Sequence, residues 1–323
     1  MADARGSTSS VLVEGEEGAR ATRHGTIAGP EAMMSVMQTT APTTGPTDRW
    51  VDRYLALLGV AGGAPSLDQL TTLVRSHVLT VPFENVTALL RRRAHPSGPV
   101  PQPDPVLLLS SWETCSGGGL CFEIALMFER LLSALGYRAH LVLGQVSLPF
   151  GHQAIVVEIG GRRLLVDIGN GAPIFAPQRL DSGPTEVHHA GLSFRFRATE
   201  EPDTLCQDRM LDDVWTPYCR YTLKQAAAKD LDEGYQHHHA PNASWVTGSL
   251  RMVRSTQDTV YALNDATLTR HTAAGKSTET LTDEASYRTI ASEVYGLPGL
   301  RLAEALAVRA AFARLDNGAA TAR

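Results

Sequence analysis

One cysteine of the chain stands where a catalytic thiol would be expected. Cys121 follows a run of three glycines at residues 117–119 and opens a stretch of apolar residues that recur at helical spacing. Its sulfur should therefore lie in the first turn of a helix, where unpaired backbone N–H groups and the helix dipole favour a thiolate. The alternative is a small buried residue that follows a flexible loop. Position alone makes Cys121 a candidate nucleophile.

A histidine and an aspartate lie in the two apolar segments of strand composition that follow. The glycine pair at residues 160–161 separates these segments and predicts a two-residue hairpin turn. In the register that this turn imposes, Asp167 lies opposite Ala154, two residues from His152. Because side chains alternate between the faces of a strand, His152 and Asp167 should share one face, roughly 7–8 Å apart at the backbone. A buried aspartate in an apolar strand needs a partner, and this histidine is a suitable one.

Cysteine, histidine and aspartate together supply the groups that acyl transfer through a thiol requires. The thiolate attacks an acyl group, the imidazole takes and returns protons, and the carboxylate accepts the Nδ1–H and stabilises the imidazolium. The backbone N–H groups of Cys121 and Phe122 would form the oxyanion hole. Local pattern does not place Cys121 beside His152, so a structural His152–Asp167 pair with no thiol nearby stays open.

Several motifs around these residues resemble those of the arylamine N-acetyltransferase family. They are Val81-Pro82-Phe83-Glu84-Asn85-Val86, Gly118-Gly119-Leu120-Cys121-Phe122-Glu123, the strand residue His152, and Val166-Asp167-Ile168-Gly169-Asn170-Gly171. They occur in the family's order, and the resemblance spans about residues 48–298. It implies a catalytic triad of Cys121, His152 and Asp167, in which a donor acylates the cysteine and an amine, arylamine or hydrazine then takes the acyl group.

The resemblance also implies an α+β fold with three domains around a papain-like cysteine active site. A helical domain over residues 48–136 would carry the cysteine, and a β-barrel over residues 137–224 would carry the histidine and the aspartate. An α/β domain over residues 225–298 would cover the cleft. Residues 1–47 are poor in aromatic residues and rich in Thr, Gly, Ala and Pro, so we expect a disordered tail there. Residues 299–323 would form a C-terminal tail that is partly helical.

The family's usual donors are coenzyme A thioesters. The resemblance therefore implies acetyl-CoA or another acyl-CoA as co-substrate, a small-molecule amine as acceptor, and neither a permanently bound cofactor nor a metal. It places five residues at the substrate pocket, namely Phe83, Phe122, Gly169, Asn170 and Gly171. We expect a monomer or a weak homo-oligomer.

Three positions depart from the family pattern. The family's arginine four residues before the cysteine is Gly117 here, and its asparagine four residues after the cysteine is Ala125. The phenylalanine between the glycines of the aspartate motif is Asn170, which replaces an aromatic wall of the acceptor pocket with a polar amide. Glu123 is expected to lose its usual ion-pair partner, so it must be neutral, solvated or paired elsewhere. These changes favour a more polar substrate or a reduced activity.

Three other functions stay open. An amide synthase of natural-product biosynthesis would take an acyl chain from an acyl carrier protein and form an amide. A thiol hydrolase of the papain or transglutaminase type shares the order Cys, His, Asp but uses water as the acceptor. A binding protein without activity would result if the changed residues abolished thiolate formation.

The composition argues against nucleic acid and membranes as partners and indicates the cellular compartment. The net charge of -5 and the absence of a long basic tract give no reason to expect nucleic acid. No stretch approaches the roughly 20 apolar residues of a membrane helix, and the N-terminus has no signal-peptide pattern, so we expect a cytoplasmic protein with no membrane partner. The four cysteines fit neither a disulfide framework nor a zinc pattern. Arg91-Arg92-Arg93 is typical of a solvated helix end, and His237-His238-His239 is expected in an exposed loop.

The candidate residues need a scaffold, and periodicity predicts part of it. Helices are expected over residues 50–59, from Ser66 as N-cap to about His77, over residues 121–135, and over about residues 283–295 with Thr282 as N-cap. Strands are expected over residues 139–146, 152–159, 162–168, 192–198, 215–223, 249–255, 259–264 and 267–272.

Overall fold

A computed structural model describes residues 48–146, 150–240 and 243–310. The tail expected over residues 1–47 and the chain after residue 310 lie outside the described residues. The described part has an α+β architecture with helices, a barrel-like sheet of eight strands and a further sheet of five strands. None of its helices is long and apolar enough to cross a lipid bilayer.

The first part of the fold consists of five helices. They are α1 (Asp48–Leu58), α2 (Leu67–Thr80), α3 (Val86–Ala94), α4 (Pro105–Glu113) and α5 (Cys121–Ala134). An apolar core shared by α1, α2, α4 and α5 includes Tyr54, Leu73, Leu109 and Phe128, all with no exposed surface. Burying a side chain of this size stabilises the fold by roughly 1.5–3 kcal/mol. Core packing therefore fixes the position of α5, which begins at Cys121.

Periodicity does not predict α3 and α4. The start of α4 lies in a proline-rich stretch that resembles a loop, but Asp104 is its N-cap and accepts a hydrogen bond of 2.7 Å from the Val106 N–H. The first helical residue is a proline, a position where the missing N–H costs nothing. In α3, Arg92 is only 6% exposed. The prediction of a solvated helix end is wrong for that residue.

The eight-stranded sheet contains β2 (Arg138–Gln145), β3 (His152–Ile159), β4 (Arg162–Val166), β5 (Gln178–Arg179), β6 (Thr185–His189), β7 (Leu192–Ala198), β8 (Thr204–Leu211) and β9 (Val214–Thr222). Its order is β5-β4-β3-β2-β9-β8-β7-β6, with antiparallel neighbours throughout. The Thr185 hydroxyl donates to Gln178 Oε1 at 3.1 Å, so a side-chain hydrogen bond joins the two edge strands. The sheet is thereby nearly closed into a barrel.

The hairpin between β3 and β4 has the predicted register. Ile159 pairs with Arg162, and the turn residues Gly160 and Gly161 have φ angles of 56° and 75°. Both angles lie in the left-handed region that glycine adopts without strain. Asp167 follows directly after β4, on the same side of the hairpin as His152.

The five-stranded sheet contains β1 (Phe83–Glu84), β10 (Arg251–Ser255), β11 (Thr259–Asn264), β12 (Thr267–Thr272) and β13 (Gly275–Thr280), in that spatial order. Its first strand comes from the helical part of the chain, and Phe83 pairs with Val253 of β10. Phe83 also forms a parallel bridge with Gly119. The loop that leads to Cys121 is therefore attached to the edge of this sheet.

Helices α6 (Ala228–His239), α7 (Trp245–Gly248) and α8 (Glu284–Thr289), a π-helical turn (Ile290–Val294) and α9 over residues 302–310 complete the fold. The N-cap of α8 is Asp283 rather than Thr282, since its carboxylate accepts from the Ser286 N–H at 2.8 Å. The exposed loop expected at the three histidines is wrong. They form the last turn of α6, where His238 is 3% and His239 0% exposed.

Candidate active site

The loop before Cys121 is packed so tightly that glycine is needed in it. A Cβ atom added to Gly118 would lie 2.0 Å from the carbonyl oxygen of Pro82. The Gly118 carbonyl itself accepts a hydrogen bond of 2.8 Å from Trp112 Nε1. The loop therefore has a defined conformation that delivers Cys121, 7% exposed, as the first residue of α5.

The turn after β4 lies directly against Cys121. A Cβ atom added to Gly169 would lie 2.8 Å from both Cα and Cβ of Cys121, closer than real Cβ atoms approach. This contact joins the helical part to the barrel-like sheet, and it could not be predicted from the local sequence pattern. The glycine is required because the backbone of the turn must approach the cysteine.

His152 and Asp167 form a buried pair. Nε2 of His152 donates to Oδ1 of Asp167 at 3.0 Å, and the two residues are 4% and 1% exposed. The carboxylate was expected to accept from Nδ1 of the ring, but in the structure it accepts from Nε2. The bond on Nε2 leaves Nδ1 available to the thiol.

Cys121 and His152 line the same cavity, and the two side chains interact electrostatically. Burial alone would lower the pKa of His152, but the negative charges of Asp167 and Cys121 outweigh it and hold this pKa well above its ordinary value of 6.5. The imidazole is therefore poised to carry a proton next to the thiol. The hydrogen-bonded pair of His152 and Asp167 thus lies at the cavity that Cys121 also lines.

The second oxygen of Asp167 has two further donors. The Tyr221 hydroxyl donates to Oδ2 at 2.6 Å, and Nδ2 of Asn170 donates to the same oxygen at 3.0 Å. The Gly169 N–H donates to Oδ1 at 3.3 Å. Burial would raise the pKa of Asp167, but His152, the Tyr221 hydroxyl and the Gly169 N–H lower it below its ordinary value. The carboxylate is thus held ionised inside the protein.

A glutamine extends this chain behind the tyrosine. The Tyr221 hydroxyl lies 2.7 Å from Gln207 Oε1, while Gln207 Nε2 is buried without a partner. Tyr221 has one hydroxyl proton, which it gives to Asp167, so it must accept a hydrogen bond from Gln207. With its Nε2 turned toward Tyr221, the Gln207 amide donates to the hydroxyl oxygen.

Tyr221 and Gln207 were not predicted from the sequence to belong to the site. A weak signal exists for Gln207, because a polar residue stands at an inward position of β8 among buried neighbours and is 0% exposed. Tyr221 belongs to the apolar pattern of β9 and gives no signal of its own. Tyr221 reaches Asp167, and Gln207 reaches Tyr221, only because the strands of the sheet bring these distant segments together.

The cavity beside Cys121 has a volume of about 290 Å³. Of the five residues that the resemblance assigned to the pocket, Phe83, Gly169 and Asn170 line this cavity, while Phe122 and Gly171 are not among its lining residues. Phe122 packs instead against Tyr235 and His238 at ring-centroid distances of 6.4 and 5.5 Å. The cavity is also lined by two arginines and by aromatic residues, namely Arg209, Arg251, Tyr218 and His238.

Glu123 has an ion-pair partner that the sequence argument did not find. Its Oε1 pairs with Nη2 of Arg91, in a residue run that was expected to be solvated. Its Oε2 accepts from the Leu120 N–H at 2.6 Å. Gly117, where the family's arginine is expected, has no room for a side chain, since an added Cβ would lie 2.7 Å from Cγ2 of Thr87. The cation therefore comes from α3.

The other histidines and cysteines in the described part of the chain do not assemble a second centre. Among the described residues, no group of three His, Cys, Asp or Glu side chains could hold a metal ion. Cys115 is exposed, whereas Cys206 and Cys219 are buried in or near the sheet. His77 donates to or accepts from the Tyr54 hydroxyl at 2.9 Å, and burial lowers its pKa to about 3.

Known proteins resemble this chain in sequence. The model of the N-acetyltransferase family matches residues 66–303, which is more than half of the chain. The arylamine N-acetyltransferase of Escherichia coli (strain K12) is 28% identical over 193 residues, covering 57% of this chain and 65% of that protein. The match thus spans slightly less than two thirds of that relative. Proansamycin X synthase of Amycolatopsis mediterranei is 26% identical over 191 residues, covering 57% of this chain and 71% of that protein.

The fold also resembles that of a solved structure. The arylamine N-acetyltransferase from Mycobacterium tuberculosis matches with a TM-score of 0.66 at 26% identity, covering 76% of this chain and 93% of that chain. The family match over residues 66–303 includes α2 to α8 and both sheets.

Proposed function

The chain belongs to the arylamine N-acetyltransferase family, and on that premise we propose that it transfers an acyl group from a coenzyme A thioester to an amine through an acyl-enzyme formed on Cys121. The observation that carries this proposal is the placement of Cys121 in one cavity with His152 of the buried His152–Asp167 pair, with which it interacts electrostatically. A thiol beside a proton-carrying imidazole whose carboxylate partner stays ionised is the arrangement that nucleophilic acyl transfer requires.

The first half of the reaction acylates the enzyme. The Cys121 thiolate attacks the thioester carbonyl and forms the new C–S bond, and the bond to the sulfur of coenzyme A breaks. The protonated His152 gives its proton to the departing thiolate, so coenzyme A leaves as a thiol. The first N–H groups of a helix have no partner inside the helix, and those of Cys121 and Phe122 would stabilise the oxyanion.

The second half transfers the acyl group to the acceptor. The amine nitrogen attacks the acyl carbon, the amide bond forms, and the C–S bond to Cys121 breaks. His152, now neutral, takes the proton from the nitrogen and becomes an imidazolium again beside the regenerated thiolate. Asp167 orients the ring and stabilises its positive charge in both steps, and it does not itself need to become protonated.

The side-chain amide of Asn170 forms part of the cavity wall that the acceptor would contact. Asn170 lines the cavity where the family has a phenylalanine, and Tyr218 and His238 line it too. A polar acceptor gains a hydrogen-bonding group there, while a plain arylamine loses stacking area. We therefore infer an amine, arylamine or hydrazine that carries polar substituents.

An amide synthase that accepts a longer acyl chain is the second candidate. A cleft of about 730 Å³ adjoins the cavity and shares Val146 and Tyr218 with it, so an acyl chain longer than acetyl has space beyond Cys121. The relative from Amycolatopsis mediterranei is named as a synthase rather than as an acetyltransferase. An acyl carrier protein would then supply the thioester in place of coenzyme A.

Intact-mass measurement after mixing the protein with acetyl-CoA tests the proposal. We expect one acetyl group on the wild-type protein and none on Cys121→Ser, whereas Cys115→Ser, which changes an exposed cysteine, should be acetylated like the wild type. Addition of an amine should remove the acetyl group and yield an amide. No acetylation by acetyl-CoA, combined with acylation by a long-chain carrier thioester, would favour the synthase. Decay of the acyl-enzyme in water at the rate seen with amine would favour a thiol hydrolase.

A further inference from the structure

The loop that leads to Cys121 is held by two buried carboxylates from different elements. Glu84, in β1, accepts from the Gly118 N–H at 3.0 Å through Oε1, and Glu123, in α5, accepts from the Leu120 N–H at 2.6 Å through Oε2. Both acids are buried, with 0% and 2% of their surface exposed. The backbone on the approach to the nucleophile therefore depends on two charges that lie away from water.

Arg91 is the cation that faces both acids. Its guanidinium pairs with Oε1 of Glu123, and its positive charge also lowers the pKa of Glu84. A fifth of the Arg91 side chain is exposed, against 1% of that of Glu123. Arg91 lies on α3, and neither of its neighbours in the sequence takes part. Arg92 donates to the carbonyl oxygens of His95 and Gly98, and Arg93 pairs with Glu304 at the surface.

The other titratable groups around the two acids supply no positive charge. From α6, His239 lies with Nε2 at 4.0 Å from Glu123 Oε1, but burial and the charge of Arg91 lower its pKa to about 4, so it is neutral at pH 7. The Tyr235 hydroxyl, also from α6, donates to the Pro101 carbonyl and lies close to Arg91. Arg91 is thus the source of positive charge for Glu84 and Glu123 among the described residues.

Removal of the positive charge of Arg91 would favour protonation of Glu123 or Glu84. Burial raises the pKa of Glu123 and of Glu84. Arg91 is the main group that opposes the rise at Glu123, whereas at Glu84 it adds to the hydrogen bonds that the Thr87 hydroxyl and N–H donate. A neutral carboxyl accepts hydrogen bonds with roughly half the strength of a carboxylate. The N–H groups of Gly118 and Leu120 would then be held less firmly, and the loop would no longer fix the position of Cys121.

We propose that Arg91 is a positioning residue of the acyl-transfer site, whose guanidinium keeps Glu84 and Glu123 ionised so that their carboxylates hold the Gly118–Leu120 segment and thereby keep Cys121 against His152. The proposal rests on the function proposed above. It differs from a general stabilising role because it makes the reactivity of Cys121 depend on the ionisation of two acids that do not touch the substrate.

The main test compares Arg91→Met with Arg93→Met, its matched control on the same helix. Iodoacetamide alkylation of Cys121, followed by mass spectrometry, reports the thiol without any acyl donor. We expect Arg91→Met to lower the alkylation rate and kcat about ten- to 100-fold at pH 6.5, with KM changed much less. Because one acid now binds a proton more tightly, the acidic limb of the alkylation profile should move to higher pH. Arg93→Met should stay within about twofold of the wild type, since exposed ion pairs contribute little.

Two further variants keep the test decisive if Arg91→Met folds poorly. Arg91→Lys retains the charge and should recover most of the alkylation rate and the wild-type pH limb. In the background of Glu123→Gln, whose side chain needs no counter-charge, Arg91→Met should cost several times less than in the wild type. Wild-type alkylation and pH profile in Arg91→Met would overturn the proposal, as would an equal loss at every pH with no recovery by lysine.

The two proposals fail in different ways. A wild-type protein that is not acylated by any thioester contradicts the proposed function, whereas the alkylation profiles still decide whether Arg91 controls Cys121. An acylated wild type with unaffected Arg91 variants contradicts only the positioning role.

Discussion

The Tyr221 hydroxyl donates a hydrogen bond of 2.6 Å to Oδ2 of Asp167, across 54 residues of chain. The bond joins β9 to the turn after β4, and the same carboxylate accepts from His152 on its other oxygen. Burial and the charge of Asp167 raise the pKa of Tyr221 well above its ordinary value, so the hydroxyl stays protonated and remains a donor. Through this hydrogen bond, Tyr221 helps to keep the Asp167 carboxylate ionised.

Tyr221→Phe should therefore slow the reaction without unfolding the protein. A hydrogen bond to a charged group contributes roughly 1.5–3 kcal/mol, so kcat/KM should fall about ten- to 100-fold if most of it is lost in the transition state. Tyr218→Phe is the matched control, because Tyr218 lines the cavity but makes no hydrogen bond to Asp167. Steady-state kinetics of both variants checks the expectation, and equal effects would show that the hydroxyl bond to Asp167 is unimportant.

Gly169→Ala should inactivate the protein by pushing against the nucleophile. The added Cβ would lie 2.8 Å from Cα and Cβ of Cys121, so the turn or the start of α5 must shift by several tenths of an ångström or more. A displacement of this kind costs about 100-fold in rate when it misaligns reacting groups. Gly183→Ala is the control, since nothing lies within 4 Å of a Cβ added there. A fully active Gly169→Ala variant, with a wild-type melting temperature, would contradict the close approach.

Asn170→Ala should affect both halves of the reaction. Asn170 donates to Asp167 Oδ2 at 3.0 Å and accepts from the Ala172 N–H at 2.9 Å, so it supports the triad as well as lining the cavity. Rapid-mixing measurements separate acyl-enzyme formation from transfer to the amine. We expect both rates to fall, by roughly three- to tenfold. If only the transfer to the amine slows, Asn170 acts purely as a wall of the acceptor pocket.

The His152–Asp167 pair should give the folding stability a defined pH window. The pKa of His152 is raised above 6.5 in the folded state, so its stabilising contribution is complete below pH 6.5 and is lost as the pH rises through the folded value. The pKa of Asp167 is lowered below 3.8, so its contribution is complete above pH 3.8 and is lost as the pH falls through the folded value. Both contributions overlap between about pH 4 and pH 6.5.

Urea unfolding of the wild type and of Asp167→Asn over a pH series measures that window. The difference in unfolding free energy should be largest, in favour of the wild type, between about pH 4 and 6.5 and should shrink on either side, with a slope of at most about 1.4 kcal/mol per pH unit for one proton. The buried histidines His77, His238 and His239, with lowered pKa values of about 3, 4 and 4, destabilise both proteins in acid and cancel in the difference. A difference that does not change with pH would contradict the assigned ionisation of the pair.

The sequence determined the parts of this protein that depend on neighbouring residues. Two consecutive glycines between strand segments favour a tight turn with left-handed backbone angles, and that turn fixes the register that puts His152 and Asp167 on one face. The apolar spacing after Cys121 likewise determines that the cysteine begins a helix. Such features follow from backbone geometry over a few residues, and the ordered motifs were specific enough to indicate the family.

The short helices α3 and α4 were harder to predict for a local reason. The segment of α3 carries three consecutive arginines, and α4 starts within prolines, so neither shows the apolar stripe by which a helix is recognised. The burial of His238 had no local signal either, because the Gly151 carbonyl and the Phe122 ring that contact it belong to distant parts of the chain.

Only the tertiary structure decided how these pieces act on one another. The approach of Gly169 to Cys121, the bond from Tyr221 to Asp167 and the pairing of Arg91 with Glu123 each join segments that are far apart in sequence. A charge or a hydroxyl exerts its effect over a few ångströms of low-dielectric interior, and the distance between such groups is set by the packing of whole elements. The residue types of the triad could thus be read from the chain, whereas the groups that hold it ionised and in place depend on how helix, barrel and second sheet pack together.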